Sequence, residues 1–272
     1  MGGTAARVWY YTLRDADPTR RRFAAIAIAL GNYSDLDAFG DSPNREIDQK
    51  YLTMRLGLSD CLDYAMSIDS MAMRVHSLAT CLFRGMALRT DVQAFAADPR
   101  ARIAHVEDQN KNGLGYLSGY TGMTESLEGM SVDWHSRTIH FPEGVSDARQ
   151  ASVRRFVLPE PLPNEGANAR YRQEWLGGIL DLYKDSKTRL IFLQLPRAPM
   201  MNPNAAEPRE STRFVDRAER TPRVTALPAP TFMDLERPDL FADGLHLNRA
   251  GRPIFSERLA AKTEEILSGG GK

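Results

Sequence analysis

Cysteine is scarce: Cys61 and Cys81 are the only two in 272 residues. That excludes a disulfide-built scaffold, and their spacing fits no thiolate metal site. Both fall in a stretch rich in helix formers, where two buried thiols are expected. An excess of charge of one sign is also missing. Thirty-five basic residues balance thirty-five acidic ones, so no net field pulls the chain towards nucleic acid or an anionic membrane. The one dense basic cluster, Arg20 to Arg22, precedes an apolar run and reads as a solvated helix end. No apolar stretch approaches the roughly 18 residues that would span a bilayer. The longest, Phe23 to Leu30, is strand-sized. Met1-Gly2-Gly3-Thr4 is not the charged start of a signal peptide. As written, the chain reads as soluble.

What is present alternates. Residues 4–15 carry apolar side chains at Val8, Trp9, Tyr11 and Leu13, consistent with a short helix that starts at a glycine pair, and Asp17-Pro18 marks a turn. Residues 23–30 are continuously apolar and end at Gly31-Asn32, as expected of a strand buried on both faces. From Pro43 to Phe95 the Leu, Met and Ala content predicts two or three helices broken near Gly57 and Gly85, with the methionines and aromatics in the core. Between about 105 and 165 glycines recur and periodicity fades. This reads as an inserted cap, with a hairpin over 132–141, within a single domain spanning 1–272. Further on come a helix over 171–183, a buried strand over 189–196 stopped by Pro196, and a proline-rich loop to Pro208. A polar helix near 209–220, a short strand over 223–227 and a terminal helix over 249–267 complete the chain, the last with Ile254, Leu259 and Ile266 inward. Strands alternating with helices predict an α/β fold with a mainly parallel sheet.

One stretch carries chemistry: LFADGLHLNRAG, residues 240–251, opening the last helix. Asp243 and His246 lie three residues apart, close enough for the carboxylate to fold back on the imidazole of the same loop. A carboxylate at one ring nitrogen fixes the tautomer and leaves the other nitrogen to take a proton from a nucleophile. Asn248 or the Gly251 turn can hold the helix start and so keep His246 in place. A lone Asp-x-x-His also fits a helix cap followed by an incidental histidine.

The stretch LFADGLHLNRAGRPIFSERLA resembles the last conserved block of the SGNH/GDSL hydrolases, where Asp-x-x-His supplies two members of a serine triad. RLIFLQLPRAPM resembles the strand and proline-rich loop that precede that block in cell-envelope members of the group. The resemblance implies a flavodoxin-like three-layer sandwich and ester hydrolysis or O-acyl transfer through a serine acyl-enzyme, with no cofactor and no metal. The substrate would be an acylated small molecule or glycan, and the cell envelope or secretion the compartment. It also implies oxyanion donors at a helix-opening glycine and at an asparagine after a buried strand. Gly3 and Asn32 are the matching positions, although this chain reads Gly31-Asn-Tyr-Ser-Asp35 where Gly-x-Asn-Asp is usual. Gly31-Asn32 equally fits an ordinary strand-to-loop turn.

The block bearing the nucleophilic serine should precede Gly3 in such an enzyme. Only Met1 and Gly2 do, so the first strand of the sheet is expected to be missing and the chain to be inactive alone. Its neighbouring strand would then expose an unpaired edge, and the chain would self-associate. Phe39-Gly-Asp-Ser42 spells the opening of the motif, but it comes after the glycine and asparagine elements and leads into Pro43. Ser42 therefore reads as a helix N-cap with proline at the first helical position. His135 and His140 are five apart on a strand-like stretch, hence on opposite faces, which argues against a shared metal, and His105 and His76 add no ligand set. A different class of function for the same chain is a non-catalytic SGNH-like protein that binds a ligand or a partner.

Overall fold

The computed structural model describes residues 5–30, 44, 47–52, 55–112, 130–133, 136, 138–157, 165–196, 218, 220–241 and 246–269. At its centre lies a parallel sheet of three strands, β1 (Ala25–Leu30), β4 (Arg189–Gln194) and β5 (Val224–Ala226), in the order β1-β4-β5. Ala25 pairs with Arg189 and Leu30 with Gln194. On the far side of β4, Leu190 pairs with Val224 and Phe192 with Ala226. The α/β class and the parallel sheet are thus as the alternation of segments predicts.

β4 is interior, and every residue from Leu190 to Gln194 is buried. Its alternate side chains feed two cores. Leu190 and Phe192, with Ile28 and Leu30, pack against α1 (Ala6–Ala16) and α9 (Glu165–Tyr183) through Val8, Tyr11, Leu176 and Ile179. Ile191 and Leu193 face the other way, towards Leu227, Phe232, Leu235 and Phe241, with Phe255, Leu259 and Ile266 of the last helix, α10 (Gly251–Gly269), packed on them. The sheet is therefore covered on both faces. Ile254, expected inward, is 37% exposed, and Phe255 takes its place one step round the helix.

β1 departs from its sequence reading. It was expected to be buried on both faces, yet it stands at the edge of the sheet, with Ala27 exposed and only Ile28 and Leu30 buried. An uninterrupted apolar run specifies a strand, but it does not specify how many neighbours that strand finds.

The helices α1 and α9 run side by side in the same direction. Tyr11 meets Trp175 at 5.6 Å between ring centroids, and Tyr183 Oη donates to Asp17 Oδ2 at 3.3 Å beyond the end of α1. At that same end Thr188 Oγ1 donates to Phe23 O at 2.7 Å and Arg189 N to Ala24 O at 2.9 Å, where β1 and β4 begin. The start of α1 consequently lies at the opposite end, by the C-terminal edge of the sheet. In open parallel sheets that edge is where ligands bind.

Between β1 and β4 the chain builds mostly helix: α2 (Ile47–Leu52), α3 (Asp60–Met66), α4 (Met71–Leu82), α5 (Arg84–Ala87), α6 (Arg89–Ala97) and α7 (Pro99–Asn112). Among the described residues five helices begin in the stretch to Phe95, where two or three were expected. Gly57 lies between α2 and α3 as anticipated, but the break near Gly85 falls at Phe83, and Gly85 sits within α5. Leu52, Leu56, Tyr64 and Ile68 are buried. The reading of the methionines and aromatics as core is corrected in part, since Met66, Met71, Phe83 and Phe95 are half or more exposed, while Tyr51 and Met73 are partly buried against the first core. A further correction is covalent. Cys61 and Cys81 are not two thiols but a disulfide, joining the start of α3 to the end of α4.

In the stretch read as a cap, α7 extends to Asn112, a hairpin of β2 (Ser131–Asp133) and β3 (Thr138–His140) forms where one was expected, and α8 (Asp147–Val157) follows. Ile139 of the hairpin joins the second core. α9 begins at Glu165, six residues before the expected start. The polar helix near 209–220 falls almost wholly outside the described residues.

One polar group is set into the first core. Arg7 of α1 is fully buried, as is Asp48 of α2. Nε and Nη2 of Arg7 donate to Asp48 Oδ2 at 3.0 and 2.9 Å, and Nη1 donates to Ser67 Oγ at 3.0 Å. Tyr171 Oη donates to the same carboxylate oxygen at 3.2 Å. The guanidinium lies between the rings of Tyr64 and Tyr171, 5.1 and 5.2 Å from their centroids. Burial alone lowers the Arg7 pKa, but Tyr171, Asp48 and Tyr64 outweigh it and the net shift is upward. Burial pushes the Tyr64 phenol up to about 12, against the pull of Arg7.

Candidate active-site loop

The chain leaves β5 at Leu227, whose N–H donates to Phe192 O at 2.8 Å. Two 3₁₀ turns follow, Ala229–Leu235 and Pro238–Leu240. They keep it against the second core, in which Leu193 and Leu227, at the C-terminal ends of β4 and β5, belong to one cluster with Leu240 and Phe241. Phe241 and Leu247 then form an isolated antiparallel bridge. Asp243 and His246 fall in the sequence between these two bridged residues.

Asn248 fastens the loop to the helix that follows. Its N–H donates to Leu240 O at 2.9 Å, and its Nδ2 donates to Asp239 O at 2.7 Å and to Phe241 O at 3.2 Å. Its Oδ1 accepts from the N–H groups of Ala250 and Gly251 at 2.9 and 3.0 Å, two of the free donors at the start of α10. The side chain thus ties the entering strand and the helix start together, as the sequence anticipated for Asn248. The Gly251 turn contributes by close packing, because a Cβ at this position would lie 2.3 Å from Leu240 O.

This packing gives a direct expectation. Gly251→Ala should destabilise the protein by about 1–3 kcal/mol, since the methyl collides with a backbone carbonyl that the Asn248 clasp prevents from yielding. Urea unfolding followed by circular dichroism measures it. An unchanged midpoint would mean that the loop has room and is not held.

Of the residues singled out in the sequence, His246 is described. It is half-buried and immediately precedes the bridge residue Leu247. Asp243, Gly3, Asn32, Ser42 and His135 lie outside the described residues. His140 ends β3, His105 lies on α7 and His76 on α4, and all three are exposed. Among the described residues no group of three His, Cys, Asp or Glu side chains is placed to hold a metal. No described helix is long and apolar enough to cross a membrane.

Sequence reasoning missed one polar side chain at the same edge. Gln194, the last residue of the central strand, is 6% exposed, and its Oε1 has no hydrogen-bond partner among the described residues. A buried acceptor left open in this way costs stability unless something meets it. The signal was legible in part, since Gln194 is the only polar residue in the run Leu190–Leu195. Comparison with protein-family models, with curated proteins and with solved structures finds no match to this chain.

Proposed function

We propose that this chain carries the acid–base half of an SGNH/GDSL-type ester hydrolase or O-acyltransferase site on a flavodoxin-like sandwich. The observation that supports the reading most is the frame around the Asp-x-x-His stretch. Its flanking residues Phe241 and Leu247 are bridged to each other, and Asn248, next to Leu247, holds the start of the last helix, with Leu240 and Phe241 in the core cluster that contains the ends of β4 and β5. Catalytic groups at the carboxyl ends of parallel strands are the general pattern for such sheets.

In this mechanism Asp243 accepts the Nδ1–H of His246 and holds the ring in one tautomer. Nε2 of His246 takes the proton of a serine hydroxyl as its oxygen attacks the acyl carbon. The imidazolium then returns that proton to the leaving alcohol, and a second cycle with water or an acceptor alcohol releases the acyl group. Gly3 and Asn32 are the proposed donors to the tetrahedral oxyanion. Acylated small molecules or glycans are the proposed substrates.

Nitrogen-15 NMR of the imidazoles tests the couple. His246 should show a single Nδ1–H tautomer at neutral pH, and Asp243→Asn should replace it with a mixture. Identical spectra would remove Asp243 from its role. Short acyl esters test the chemistry. The 272-residue chain should turn them over no faster than its His246→Ala variant, because a nucleophile is worth on the order of 10⁶ in rate and the sequence around Ser42 reads as a helix cap. Turnover lost on both His246→Ala and Ser42→Ala would instead make Ser42 the nucleophile.

A further inference from the structure

β1 has hydrogen-bonding capacity that the sheet does not use. Arg189 N donates to Ala24 O and Leu195 N to Leu30 O, so the even-numbered residues of β1 turn their backbone groups towards β4. In a strand the direction alternates, and the N–H and C=O groups of Ala25, Ala27 and Ala29 therefore point to the open edge. No described strand pairs there. Natural edge strands are protected by lysine, proline, a bulge or a covering helix. The sequence AIAIAL has no charge and no proline, and its register against β4 runs unbroken from Ala25 to Leu30, without a bulge.

We propose that this edge is a self-association surface on which β1 of a second copy of the chain pairs antiparallel, joining two three-stranded sheets into one. The sequence is self-complementary for such a two-fold contact. With the axis at Ala27, Ala27 meets its own counterpart and Ala25 meets Ala29, each pair exchanging N–H···O bonds in both directions. Ile26 meets Ile28 between them, and no like charges are brought together. Ala27 is exposed, so its methyl offers no obstacle. Isologous contacts of this kind generate the commonest oligomers, two-fold dimers.

The two cysteines of the chain are already joined to each other, so an added thiol is unique. Facing residues in a hydrogen-bonded antiparallel pair have Cα atoms about 5.5 Å apart, within disulfide range. Ala27→Cys should therefore cross-link nearly completely into a covalent dimer under mild oxidation. Leu58→Cys, at a position 70% exposed, serves as the control and should cross-link at least tenfold more slowly. By light scattering the unmodified chain should have twice its 30.4 kDa mass. Ala27→Pro, which removes only an outward N–H and leaves the bonds to β4 intact, should return it to monomer. A monomeric parent chain, or Ala27→Cys cross-linking no faster than Leu58→Cys, overturns the proposal. The cross-linking comparison stands even where the proline variant fails to fold.

Discussion

Asp48→Ala is expected to cost about 3–5 kcal/mol, enough to unfold much of the protein at ambient temperature. The reason lies in what the substitution leaves behind. Arg7 and Asp48 are both fully buried, and removing the carboxylate strands a guanidinium among Tyr64, Tyr171 and the apolar residues of the first core. A buried charge without its counter-ion carries the full cost of desolvation, and neither ring face replaces an anion. Replacing both partners at once, as Arg7→Met with Asp48→Leu, should recover most of that loss, because the pair's net contribution is small once desolvation is counted. Chemical denaturation of the two singles and the double measures the coupling. Singles that cost less than about 1 kcal/mol would mean that water reaches the pair.

Much of the fold was legible because two periodicities and two stop signals carry it. The apolar run 189–195 ended by Pro196 became the central strand. The run 23–30 became β1, and of the apolar stripe Trp175, Leu176, Ile179, Leu180 and Leu182 the first four are buried on the inner face of α9 and Leu182 partly so. Parallel pairing followed from alternation alone. What failed did so where burial is decided by distant parts of the chain. Ala27 lies in an apolar run and is exposed because β1 has one neighbour among the described strands. Phe95 was read as core with the other aromatics but lies on α6, which packs on α5 and α7 and contributes no buried residue. The burial of Arg7 had no signal of its own in the sequence, since it depends on Asp48, 41 positions away, which meets it. At the candidate site, Asn248 and Gly251 were legible because a cap and a close approach each demand one residue type. The open carboxamide of Gln194 gave only a break in apolar character.

Removing the Cys61–Cys81 disulfide should lower stability by about 3 kcal/mol, since the bond closes a loop of 20 residues and loops of roughly that size lose that much unfolded-state freedom when cross-linked. The loss should be local before it is global. α3 has only seven residues, too few to hold as a helix without packing. The outward faces of the α3–α4 hairpin expose Leu62, Met66, Met71 and Val75 to between 58% and 68%. Burial on one face and the covalent tie therefore do most of the work of keeping the hairpin closed. In the double variant Cys61→Ala/Cys81→Ala, amide exchange should accelerate first in α3 and α4, while β4 keeps the protection of the global fold. Uniform acceleration across both regions would show that the hairpin and the sheet unfold as one unit. Disulfides persist in oxidising surroundings and are broken in reducing ones, so reducing conditions should loosen the hairpin. Dithiothreitol should lower the melting temperature by as much as the double alanine variant, and a reduced protein that melts where the oxidised one does would remove the bond from any part in stability.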